Sequence, residues 1–159
     1  MVSTTIPTAS ANGNGDCAGK LDPNSLPGLL EKLVERDKEF IRRDIGKGQY
    51  LIRLKECWMV VHGDNADDFD YMRLDYALRA RVRERGWHYG LGLMSSAVLH
   101  GQLARIRIPA SASGSPCLIP RPLWIWESHQ EEDAIALLRA YCVAVEKVEE
   151  LLNATNHAA

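Results

Sequence analysis

The chain has 159 residues, 46% hydrophobic and 25% charged, with a formal net charge of −2 at neutral pH. That is an ordinary globular composition, and so slight a charge leaves no basic footprint for nucleic acid. No apolar run approaches the ~20 residues that cross a bilayer, so neither a nucleic-acid partner nor a membrane is expected.

One domain is the expectation for this length. Residues 1–22 read as a disordered tail rich in Ser, Thr, Ala, Asn and Gly, without the basic start and apolar centre of a secretory signal. Residues 23–153 then form a single α+β domain, and 154–159 fray. Cysteines stand at 17, 57, 117 and 142 with no C-x-x-C pair. That spread predicts reduced thiols and a cytoplasmic protein.

The first helix is predicted from Ser25 to Ile45. Asn24 or Ser25 supplies the cap, Leu30, Leu33, Val34, Ile41 and Ile45 recur at helical spacing beside Phe40, and Gly46-Lys47-Gly48 ends it. Tyr50, Ile52 and Leu54 alternate with polar residues as in a half-buried strand. Cys57 opens a second strand, and Trp58 to Val61 reads as covered on both faces.

Asp67 to Arg85 carries the clearest helical signals. Asp67, Asp68 and Asp70 crowd its start, and Arg79, Arg81, Arg83 and Arg85 its end, both suited to the helix dipole. Tyr71, Leu74, Leu78 and Val82 form the stripe, and Gly86 the cap. Trp87–Met94 and Leu99–Ile108 are two more extended segments. In the second, Ala104, Ile106 and Ile108 share one side, and Leu103, Arg105 and Arg107 the other. Residues 109–122 hold four of the seven prolines and form a loop. Leu123–Trp126 reads either as a short strand or as an aromatic plug. A last helix starts at Ser128 with a capping-box Glu131, buries Ile135, Leu138, Cys142, Val145, Val148 and Leu152, and frays from Asn153. The order predicts an α+β two-layer sandwich: a mainly antiparallel sheet with helices on one face, built on a strand–helix–strand–strand–helix core plus an N-terminal helix.

Few residues carry chemistry. Gly63-Asp64 with Asp68 matches part of the magnesium-phosphatase pattern of the haloacid-dehalogenase type, but the upstream Asp-x-Asp strand is missing. As a calcium loop, Asp64, Asp68, Asp70 and Asp75 fail because Phe69 replaces the turn glycine. Asp64 and Asp68 remain the weak metal candidates beside a plain reading, acids at a helix start. The five histidines have no local metal spacing; His88 and His100 are pocket candidates, and His129 belongs to the start of the last helix. Tyr89-Gly90-Leu91-Gly92-Leu93 is glycine-spaced yet opens no helix, so it is no dinucleotide fingerprint. Arg105 and Arg107, at i and i+2, point to one sheet face and suit a carboxylate or phosphate. Trp124 and Trp126, beside a proline loop, are interface candidates.

The run Leu74–Trp87, ending Arg83-Glu84-Arg85-Gly86-Trp87, resembles the helix-to-strand segment of the C-terminal small domain of fold-type I pyridoxal-phosphate decarboxylases of group II. Val98–Ile108 is similar to that family's glycine-then-arginine strand, and Glu131–Leu138 to the start of its last helix. The resemblance covers about residues 57–152. It implies a small domain without its catalytic half, completed by a large-domain partner that holds pyridoxal phosphate. The family's lysine follows a histidine, and none of the lysines here does.

Two functions follow. One is a non-catalytic module acting by binding or assembly with a protein partner or as a homo-oligomer, with no cofactor of its own. The other is a subunit of a split decarboxylase. A domain binding a small anion through Arg105 and Arg107 is a further alternative.

Overall fold

The computed structural model describes residues 21–44, 48–95, 100–111, 119–130 and 132–157. The readings of the 1–20 tail, Ile45 to Lys47, Leu99, the middle of the proline loop and Glu131 lie outside them. Helix α1 spans Leu26–Arg36, followed by strands β1 Ile41–Asp44, β2 Gln49–Leu54 and β3 Cys57–His62. Helix α2 spans Asp68–Glu84, then come β4 His88–Ser95, β5 His100–Ile108, β6 Leu123–His129 and helix α3 Asp133–His157. The α+β two-layer arrangement is the one the order of elements predicted, with its strands divided between two antiparallel sheets, β1-β2-β3 and β4-β5-β6. Helices α1 and α2 pack on the first sheet, and α3 on β5 and β6 of the second. One core cluster joins all three helices to both sheets.

Local chemistry explains most element ends. Ser25 caps α1 by accepting from the Gly28 N–H at 3.3 Å. Asp67 caps α2: its carboxylate accepts from the Asp70 N–H at 2.9 Å, and Asp70 accepts in return from the Asp67 N–H at 3.3 Å. We expect Asp67→Ala to cost about 0.5–2 kcal/mol, read from the thermal midpoint. Gly86 closes α2 at φ +70°, and the N–H groups of Gly86 and Trp87 reach back to Arg83 and Val82. That is the Schellman arrangement, which requires the left-handed residue glycine tolerates.

Four expectations need correction. Helix α1 stops at Arg36, not near Ile45, and Ile41 to Asp44 are a strand. Asp37 ends the helix because its side chain is held inside the protein by partners on α2 and α3. Cys57 is exposed, and in β3 only Val61 is fully buried. The reason is that β3 is an edge strand whose outer face stays open. The last helix starts at Asp133, not Ser128, since β6 remains paired to β5 as far as Gln102 opposite His129. The His129 ring accepts the Glu132 N–H at 3.0 Å, so it ends a strand just before the helix. Finally, α3 runs on to His157 where fraying from Asn153 was expected. Leu123–Trp126 proves to be a strand, three residues longer than the aromatic run itself.

Candidate functional site

Strand β5 alternates as its sequence requires. Ala104, Ile106 and Ile108 are buried on the α3 side, while Arg105 is exposed and Arg107 half-buried on the other. Strand register then builds rows across that outer face. His88, Arg107 and Trp124 form one, Gly90, Arg105 and Trp126 the next, and Gly92, Leu103 and Ser128 the third. The two tryptophans are 52% exposed and stack on each other, with ring centroids 6.2 Å apart at 23°. Arg107 lies 5.7 Å from the Trp124 ring and Arg105 5.9 Å from that of Trp126. Each such cation–π contact contributes about 0.5–1 kcal/mol at an exposed site. Among the described residues neither arginine has a carboxylate partner, so both charges remain available to an anion.

The glycines of β4 give this face relief. A Cβ on Gly90 would sit 2.5 Å from the Arg105 Nε, so the arginine lies across the strand only because no side chain stands there. It divides two shallow hollows. One, of about 240 Å³, is lined by Gly90, Leu91, Gly92, Leu103, Arg105 and Trp126. The other, of about 120 Å³, is lined by His88, Tyr89, Arg105, Arg107 and Trp124. We expect Gly90→Ala to push the guanidinium aside while changing stability by no more than about 0.5 kcal/mol, because the obstructing group is a flexible side chain. The thermal midpoint checks the second half of that statement, and a crystal structure of the variant the first.

The remaining candidates lie elsewhere. His100 opens β5 on the opposite parity, five residues from Arg105, which is about 17 Å along a strand. Asp64 is exposed in the turn before α2, and Asp68 is exposed in its first turn. Asp70 is buried, with its Oδ2 2.9 Å from His62 Nδ1. The Gln49 side-chain amide lies 2.9 Å from the other nitrogen of that ring. Asp67 and Asp70 therefore cap and brace the helix. Among the described residues no three His, Cys, Asp or Glu side chains converge as a metal site. No described lysine lines either hollow beside Arg105.

Two features escaped the sequence reading. The first is a buried charge cluster. Asp37, 3% exposed, accepts from Arg81 Nε at 3.1 Å and Nη2 at 2.6 Å. Arg85 stands 3.0 Å away, and the Tyr141 hydroxyl donates to the same carboxylate. Burial alone would raise the Asp37 carboxyl, but the hydrogen bonds from Arg81 and Tyr141 and the charges of Arg85 and Arg81 hold it below its usual range. Phe40 and Trp87 pack on Tyr141 at 5.7 and 5.9 Å. This cluster is a structural clamp between α1, α2 and α3. The second feature is a second apolar stripe on α2: Phe69, Met72 and Tyr76, each more than 60% exposed. Their i, i+3, i+7 spacing was legible in the sequence. Burial pushes the Cys142 thiol up to about 12, away from the thiolate form that a nucleophile requires.

No protein-family model, curated protein or solved structure matches this chain. Its fold and surface define an α+β protein with an open tryptophan–arginine sheet face. None of its helices, among the described residues, is long and apolar enough to cross a membrane.

Proposed function

We propose that this chain is a non-catalytic binding or assembly module of the cytoplasm that holds a protein partner on the outer face of the β4-β5-β6 sheet. One observation carries the reading: two half-exposed tryptophans interleaved with two arginines that have no carboxylate partner among the described residues. Tryptophan and arginine are the residues that dominate contact energies between proteins. A partner would cover the rings and bring carboxylates to Arg105 and Arg107, whose planar guanidinium groups suit them. The cytoplasmic address is supported by free thiols at Cys57 and Cys142.

The test compares the intact protein with Arg105→Glu/Trp126→Ala in recovering partners from source cells, with radical footprinting of the recovered assemblies. Both substitutions are at exposed positions, so the variant should keep its thermal midpoint. The reading expects Trp124 and Trp126 to be protected in the assembly, and the variant to recover none of the wild-type partners. Equal recovery by the variant, or both rings fully labelled in the assembly, overturns it.

A further inference from the structure

We infer that the occupant of the tryptophan–arginine face is a second copy of this chain, which presents the acid-rimmed stripe of its α2 helix. The inference rests on the sheet-face reading above and names its partner.

The surface carries two groups of exposed large apolar side chains of opposite electrostatic character. Trp124 and Trp126 stand among Arg105, Arg107 and His88. Phe69, Met72 and Tyr76 are 63%, 62% and 62% exposed along one side of α2. Beside Met72 lies a hollow of about 290 Å³ whose lining includes Asp68, Asp75, Glu132 and Asp133. Asp75 is paired with Arg79 at 2.8 Å, which leaves Asp68, Glu132 and Asp133 as the acids bordering that hollow, while the rows of the other patch contain cations and no acid. Contiguous exposed apolar surface of this kind marks interaction sites, and opposite charge around two such patches favours one register and speeds encounter. A rod carrying Met72 and Tyr76 also suits the relief of the sheet, where Gly90 and Gly92 leave a low floor beside Trp126. Glycine in a strand interior is a recurrent mark of such close approach.

The contact joins unlike surfaces. It closes into a dimer if both copies exchange helix for sheet about a two-fold axis, and otherwise extends as a chain. The measured mass tells which.

Pure protein suffices for the test. Light scattering over a concentration series should show association that weakens with added salt, as screening requires. Arg105→Glu/Arg107→Glu spoils the sheet face, and Met72→Lys/Tyr76→Lys spoils the helix face. Each variant alone should associate at least ~30-fold more weakly, the scale of losing a hot spot. Mixing them should restore association, because one supplies an intact acidic helix and the other an intact cationic sheet. Circular dichroism and thermal midpoints confirm that both variants fold, and the mixing result stands as its own control.

A wild type that stays monomeric at every concentration overturns the inference, and leaves the sheet-face reading to be judged on other partners. Loss of association in the sheet variant alone, with the helix variant unaffected, overturns the inference but keeps the sheet face as a contact. Indifference to both variants overturns the inference, since the copies then meet through another surface, and leaves the sheet-face reading to the partner-recovery test.

Discussion

Replacing Asp37 by asparagine is expected to cost this protein about 3 kcal/mol, from the 3–5 kcal/mol range for removing one partner of a buried ion pair. The side chains of Asp37 and Arg81 are 2% and 10% exposed. Without the carboxylate, Arg81 would keep its charge in a nearly dry site, and that stranded charge is the largest part of the loss. The lower end of the range applies for two reasons. Glu39 and Glu84 each lie 3.3 Å from Arg81 and partly replace the lost partner. Arg85, a quarter exposed, can turn toward water. At this chain length the loss corresponds to about 6–12 °C in the thermal midpoint. Tyr141→Phe, which removes a donor and leaves both arginines in place, should cost about 1–2 kcal/mol. Replacing the pair together, Asp37→Leu with Arg81→Met, should recover much of the loss, because exchanging a buried ion pair for apolar residues is often neutral.

The same carboxylate sets an acid limit. Its folded-state pKa lies below the ordinary value, so the unfolded chain takes up the proton first as pH falls. The stabilisation from Asp37 is therefore fully present above the unfolded-state value, about 3.9, and is lost as pH drops through the lower folded-state value. Urea midpoints between pH 3 and pH 7 should show wild type converging on Asp37→Asn at the acid end. Parallel curves down to the lowest pH would assign the acid loss to other groups.

Truncating Ile106 to alanine is expected to cost about 2–5 kcal/mol, the range for deleting aliphatic volume from a packed core. Ile106 has no exposed surface. It sits at the centre of the second sheet, opposite Tyr89 on β4 and Ile125 on β6, on the side that α3 covers. The centre of a three-stranded sheet has neighbours on both flanks and above, so the site collapses poorly around a cavity. Ile106→Val should cost only about 0.5–1.5 kcal/mol. Leu93→Ala, on the same sheet but 79% exposed, should stay within about 0.5 kcal/mol. The measurement is the urea midpoint, with an unchanged slope showing that the transition remains two-state. Because Arg105 and Arg107 flank Ile106 in sequence, its truncation should also loosen the ladder on the outer face. A loss no larger than that of Leu93→Ala would mean that α3 does not press on this sheet.

The site was partly legible. Strict alternation in β5 assigns Arg105 and Arg107 to one face, and the structure adds His88, Trp124 and Trp126 to that face. It does not add His100, which has the other parity. The role of Gly90 could not be read locally, because what makes it matter is the Arg105 side chain lying over it from the next strand.

Sequence alone determined whatever depends on neighbours within a few residues: the start of α1 at Asn24 or Ser25, the extent of α2 with its acidic first turn, the Gly86 stop and the inward side of β5. These follow from local hydrogen bonding and from the 3.6- and 2-residue periods. Tertiary structure decided the rest. Residues 26–45 carry a helical pattern, yet the helix ends at Asp37 because that carboxylate meets Arg81, 44 residues on, and Tyr141, 104 residues on. Ser128 has the spacing of a helix cap, yet it pairs with Leu103 as a strand residue. Trp58–Val61 is apolar enough for a central strand, yet it lies at the edge of a three-stranded sheet. In each case local preferences differ by only tenths of a kcal/mol to about 1 kcal/mol. A buried ion cluster or a full strand ladder outweighs them, and neither has a signature within a short window of sequence.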